Sequence, residues 1–81
     1  MKGIDVSNHN GYINWNLVKN NGINVVYIKA TEGTTYIDPF LNSHYNGANS
    51  AGLTIGFYHF LTGLSAPETQ AENFYNNIKD K

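Results

Sequence analysis

The sequence predicts an α/β fold, a βαβαβα chain with parallel strands, and three observations predict it. Val25-Val26-Tyr27-Ile28-Lys29-Ala30-Thr31-Glu32-Gly33 is a short run rich in β-branched and aromatic residues that ends abruptly in charge and glycine. Apolar runs of this length, bounded by turn formers, suit a strand covered on both faces, as in a parallel sheet flanked by helices. Gly22 to Lys29 also aligns without gaps on Gly52 to His59, with Gly33 falling on Gly63. The offset of roughly 30 residues is the length of one strand and helix unit. Finally, the segments between these runs carry helix start and stop signals, so right-handed crossovers are expected.

In chain order, Lys2 to Val6 alternates weakly and gives way to the turn formers Ser7-Asn8-His9-Asn10-Gly11, a first strand and its loop. Asn14 can cap a helix through Trp15, Leu17 and Val18, with Gly22 where a helix commonly ends in the left-handed conformation. After the central strand comes a loop to Asp38-Pro39, a capping residue followed by proline at the first helical position. Leu41, Tyr45 and Ala48 share one face of this second helix, and Gly52 ends it. Thr54 to Phe60 is another buried strand, with His59 as its polar tip. Ser65 and Glu68 form a capping box, and Ala71, Phe74, Tyr75 and Ile78 give an apolar stripe for a third helix. Three parallel strands leave two sheet edges unpaired, which another chain or a further part of the same domain would have to cover.

Composition narrows the function. The chain has 81 residues, enough for one small domain, and no cysteine, which excludes disulfides and thiolate metal sites. A formal net charge of -1 with scattered Lys and Arg offers no basic stripe for nucleic acid and no polybasic patch for lipid. Lys2 is followed by no apolar segment, so neither an ordinary secretory signal nor a membrane span is expected. No Gly-x-Gly-x-x-Gly or phosphate loop occurs, His9, His44 and His59 lack a zinc spacing, and no Gly-x-Ser-x-Gly surrounds Ser7. No cofactor or metal is therefore expected. Glu68 and Glu72 read as a solvated helix face.

The strand tips carry the remaining chemistry, because loops after the carboxyl ends of parallel strands are where such folds place their sites. They offer Asp5, Glu32 with Lys29, and His59 beside Tyr58. If the first two strands are neighbours, about 4.8 Å apart, Asp5 and Glu32 could reach the roughly 5 to 9.5 Å separation of glycosidase carboxyl pairs. Each residue also has a plainer reading. Asp5 can bind nearby backbone amides, Glu32 can simply pair with Lys29, and His59 can be a hydrogen-bonded wall residue. Tyr27 and Tyr58 can be core or sugar platform.

Asp5-Val6-Ser7-Asn8-His9-Asn10-Gly11, Tyr27-Ile28-Lys29-Ala30-Thr31-Glu32-Gly33 with Tyr36 and Asp38, and Gly56-Phe57-Tyr58-His59-Phe60, in this order, resemble the family 25 glycoside hydrolases. The style is that of clostridial autolysins and phage endolysins. The resemblance implies an irregular TIM-like β/α barrel and a muramidase cleaving the β-1,4 bond between N-acetylmuramic acid and N-acetylglucosamine of cell-wall peptidoglycan. It implies retention of configuration with help from the substrate's acetamido group, and action at the bacterial cell wall, outside the cell or after lysis. By position, Asp5 would orient the acetamido group or stabilise positive charge, and Glu32 would be a cleft acid. Tyr58 and His59, with Lys29 beside them, would form the sugar-facing wall. The family's general acid is the glutamate of an Asp-x-Glu motif on the fourth strand, and no Asp-x-Glu occurs within the 81 residues. Residues 1–81 are therefore expected to be the N-terminal part of such a catalytic domain, with little lytic activity alone. A non-catalytic glycan-binding remnant is the alternative.

Overall fold

The computed structural model of the chain describes residues 2–63 and 65–81. Strand β1 (Lys2–Val6) leads through a 3-10 turn at Asn8–Asn10 to helix α1 (Trp15–Asn20). Strand β2 (Ile23–Glu32) follows, then a short β3 (Tyr36–Ile37), helix α2 (Leu41–Ser50), strand β4 (Thr54–Phe60) and helix α3 (Pro67–Ile78). β2 is the centre of the sheet, with β1 and β4 parallel on either side of it. The expected βαβαβα order is present, with one addition. β3 folds back antiparallel on the end of β2, pairing Thr31 with Ile37 and Glu32 with Tyr36. Since β4 occupies the other edge of β2 as far as Glu32, β3 lies on the flank that β1 leaves free beyond Ile28.

The helices end where the glycines said they would. Gly22 and Gly52 have φ of 84° and 80°, in the left-handed region that side chains avoid, one residue beyond the caps of α1 and α2. Asn14 caps α1 by accepting the Leu17 N–H. The other two starts differ from expectation. α3 begins after Ala66 with no side-chain cap, so Ser65 and Glu68 do not form a capping box; Pro67 opens the helix at a position whose N–H would have no partner within it. α2 begins at Leu41 and not at Pro39, because Asp38 closes a turn of its own, its carboxylate accepting the Phe40 N–H and its carbonyl the Leu41 N–H.

One face of the sheet is packed. Val26, Ile28 and Ala30 of β2 are fully buried with Val6, Trp15, Leu41, Ala48 and Leu53, and Ile55, Phe57, Phe74 and Ile78 close around them. α1 and α2 meet where the Trp15 ring lies on Gly47; a Cβ there would stand 2.1 Å from the ring, so only glycine fits. α2 presents Leu41, His44 and Ala48 inward, and Tyr45 partly. His44 is fully buried, stacked on Phe40, and its Nε2 donates to the Gly11 carbonyl at 2.8 Å, tying α2 to the first loop.

The face that α3 turns inward corrects the sequence reading. Of the expected stripe, Phe74 and Ile78 pack on the core, but Ala71 and Tyr75 are exposed. The most deeply buried residue of the helix is Gln70, 1% exposed, with Asn73 and Asn77 on the same side at helical spacing. Within residues 2–63 and 65–81 the helices cover one face of the sheet and leave the second uncovered. Tyr27 is 52% and Phe60 57% exposed there.

Candidate active site

The open face is laid out in rows set by strand register. Asp5 stands beside Tyr27, and Tyr27 beside Gly56. The Tyr27 ring fills the space that a side chain at Gly56 would need, 2.8 Å from where a Cβ would sit. One row further, Lys29 stands beside Tyr58, and at the end of the sheet Glu32 stands beside Phe60. Asp5, Tyr27, Tyr58 and Phe60 line an open cavity of about 420 Å³ at the carboxyl ends of the parallel strands. An acid and three aromatic rings around a concave surface suit the alternating polar edges and apolar faces of a sugar.

Lys29 and Glu32 share this face because β2 is bulged between Lys29 and Thr31, where Thr31 and not Ala30 pairs with His59. In an unbroken strand, residues three apart point to opposite faces. The extra residue lets Ala30 and Thr31 both face the helices, and brings Glu32 back to the open side. There the ammonium of Lys29, a residue only 5% exposed, donates to the Glu32 carboxylate at 2.7 Å and lies over the rings of Phe60 and Tyr36. Burial pulls the lysine down, but the hydrogen bond and charge of Glu32, with Tyr36 and Asp38, outweigh it and hold the ammonium above its ordinary 10.5. The plainer reading of Glu32 as a partner for Lys29 is thus present in the residue that stands beside Phe60 of the cavity wall.

Tyr58 reaches across β2 to donate its hydroxyl to the Val6 carbonyl at 3.1 Å. Burial, and then the charge of Asp5, push its phenol above the ordinary 10.0 against the opposing pull of Lys29, with Asp38 adding to the rise and a hydrogen bond to Ser7 opposing it. Tyr58 is therefore a neutral, pinned wall. Asp5 is exposed at the cavity. The carboxylate that binds backbone amides is Asp38, buried and accepting from Asn8 and Phe40, both at 2.8 Å. It fastens the loop after β1 to the start of α2.

Two geometric expectations change. β1 and β2 are neighbours, but Asp5 pairs with Tyr27, and Glu32 follows five residues later. At about 3.3 Å per residue, their backbones are offset by roughly 15 Å along the strands. Asp5 lines the cavity, whereas Glu32 stands further along the strand beside Phe60, so adjacency of β1 and β2 does not by itself set the two acids side by side. His59 lies on the other face. Its Nδ1 is 2.8 Å from the Thr31 hydroxyl, its Nε2 2.9 Å from Gln70 Oε1, and its ring meets Phe74 of α3 edge-on. With both nitrogens engaged under α3, it is separated from Asp5, Tyr58 and Lys29 by the sheet itself. Of the two readings open for Tyr27 the structure takes the exposed one, at the cavity, and Phe60, which the sequence did not single out, joins it there.

The fold and site together define a class: a parallel α/β sheet carrying acids and aromatic rings in a cleft at its carboxyl end, as carbohydrate-active enzymes do. Comparison with known proteins makes the class particular. The chain belongs to the glycosyl hydrolases family 25, whose model matches residues 4–81. It is 51% identical over 78 residues to the autolytic lysozyme of Clostridium acetobutylicum, covering 96% of this chain and 24% of that protein. Among solved structures, a family 25 glycosyl hydrolase from Bacillus anthracis superposes with a TM-score of 0.93 at 36% identity, over 96% of this chain and 36% of that one. A family 25 lysozyme from Aspergillus fumigatus gives 0.89 at 50% identity, over 93% and 36%. The chain thus spans about a quarter of the clostridial relative and about a third of the superposed structures.

Proposed function

We propose that residues 1–81 are the N-terminal part of a muramidase catalytic domain that cleaves the β-1,4 bond between N-acetylmuramic acid and N-acetylglucosamine in bacterial cell-wall peptidoglycan. The observation that carries this is the placement of Asp5 on the cavity floor beside Tyr27 and Tyr58, in a chain of this family. A sugar ring laid on the aromatic wall would bring its acetamido group within reach of an exposed carboxylate. Asp5 would accept the acetamido N–H, aim its carbonyl oxygen at the anomeric carbon, and stabilise the positive charge that spreads over the ring and acetamido group as the glycosidic bond breaks. Attack by a substrate oxygen from one face, then by water from the same side as the departed group, retains configuration.

The leaving oxygen needs a proton. Glu32 is badly suited to give it, since its carboxylate is already bonded to the Lys29 cation, and Asp5 is needed charged. The donor is the glutamate of an Asp-x-Glu segment, which these 81 residues do not contain. Glu32 serves instead as a fixed negative charge at the far end of the cleft, and Lys29 holds it there. His59 supports the wall from behind.

The test is release of new N-acetylmuramic acid reducing ends from a soluble peptidoglycan oligomer. The full-length protein should cleave it, Asp5→Asn should lower kcat by roughly 10²- to 10³-fold, and the 81-residue chain alone should show little or no turnover. Oligomer binding by the full-length protein without cleavage would instead establish the glycan-binding remnant.

A further inference from the structure

The bulge in β2 is an expensive way to place one side chain, since it leaves Ala30 without a partner on β4 and bends the strand. The residues on either side of Glu32 are both held from the same helix. On one side, the fully buried Thr31 bonds His59, and His59 bonds Gln70. Gln70 has no freedom to respond, because its Nε2 donates to the carbonyls of Thr62 at 2.9 Å and Ser65 at 3.1 Å while its Oε1 also accepts the Thr62 N–H at 3.0 Å. That fixes which end of the amide faces the imidazole. The histidine Nε2 must carry the proton, so in the neutral ring Nδ1 accepts from the Thr31 hydroxyl. On the other side of Glu32, one helical turn along α3, Asn73 Nδ2 donates to the carbonyls of Gly33 at 3.2 Å and Tyr36 at 3.3 Å. Asn77 donates to Asn73 Oδ1 at 3.1 Å and so orients it.

We propose that this inward polar edge of α3 is a positioning device for Glu32, with Gln70 and Asn73 as its positioning residues. The inference rests on the reading of Glu32 as a charge at the far end of the cleft. An apolar stripe would have covered the sheet at least as stably, because a buried hydrogen bond adds only about 1 kcal/mol net. Hydrogen bonds, however, are directional where apolar contacts are not. A chain of bonds from a rigid helix to Thr31 and Gly33 fixes the backbone on both sides of Glu32, and with it the end of the cleft where the carboxylate stands. Lys29 then holds the carboxylate itself. Displacing a charged group by about 1 Å can cost around 10²-fold in rate, so such bracing acts on turnover through Glu32 without touching substrate.

The experiment is a double-mutant cycle on the full-length protein with a soluble peptidoglycan oligomer. Thr31→Val and Asn73→Ala are each measured alone and in a Glu32→Gln background, with kcat, KM and the unfolding midpoint followed together. Each single substitution should lower kcat by roughly 10- to 100-fold with KM within about twofold. In the Glu32→Gln background the same substitutions should change kcat little, while lowering the midpoint as much as before. Thr31→Ser, which restores the hydroxyl, should recover kcat and keeps the cycle readable if Asn73→Ala fails to fold. Equal losses of kcat in both backgrounds, or none in the singles, would overturn the inference while leaving the function intact. If Glu32→Gln alone, or the unsubstituted protein, gives no change or no turnover respectively, the reading of the cleft fails and this inference falls with it.

Discussion

The two faces of the sheet are built from the same strands yet held by different forces. Beneath α1 and α2, Val26, Ile28 and Ala30 are fully buried, and their shapes matter because neighbours touch them on every side. On the open face, Tyr27 and Phe60 leave more than half of their surface uncovered, and the charged residues are placed by pairing, register and a bulge. On the function proposed above, the covered face serves stability and the open face the substrate. Substitutions that cross from one to the other measure how complete that division is.

The largest effect should come from the covered face. Ile28→Ala removes a fully buried side chain and should cost about 2–5 kcal/mol in denaturant unfolding, whereas Tyr27→Ala, next to it in sequence but on the open face and 52% exposed, should cost about 1 kcal/mol or less. Comparable losses would erase the distinction. Next in size is Gly47→Ala, which drives a methyl group into the Trp15 ring and should destabilise by about 1–3 kcal/mol; an unchanged midpoint would mean that α1 and α2 are not closely packed there.

The smallest effect sharpens the view of the open face, and it depends on pH. Lys29 and Tyr58 both keep their protons to higher pH in the folded chain than in an unfolded one. Their contributions are present in full below the ordinary values of 10.0 and 10.5, and are lost as pH rises through the higher folded values. Stability should fall from about pH 9.5 upward, and Lys29→Met or Tyr58→Phe should each flatten part of that fall. A profile unaffected by either substitution would place the titrating groups elsewhere.

These faces explain what could and could not be read from the sequence. The strands and helices were legible because apolar runs, Asn14, Gly22 and Gly52 are local signals. Which strand residue faces which side was not, because β2 is too uniformly apolar for alternation to declare itself. Matching Gly22 to Gly52 sets Lys29 level with His59, but the sheet sets Lys29 beside Tyr58. A slip of one residue exchanges the faces, and His59, expected in the cleft as a strand-tip residue, stands behind it. Asp5 and Tyr58 were legible as strand-end residues. The bracing by Gln70 and Asn73 was hidden, since the apolar spacing of α3 advertises Ala71 and Tyr75, which face outward.

The bulge at Ala30 acts through number as well as shape. A strand sorts its side chains by odd and even position, and a single inserted residue reverses the parity of everything after it. Ala30 contributes almost no chemistry of its own, yet the count it adds decides whether Glu32 is addressed to the cleft or to the core. At this point in the chain, the number of residues carries information that their identities do not.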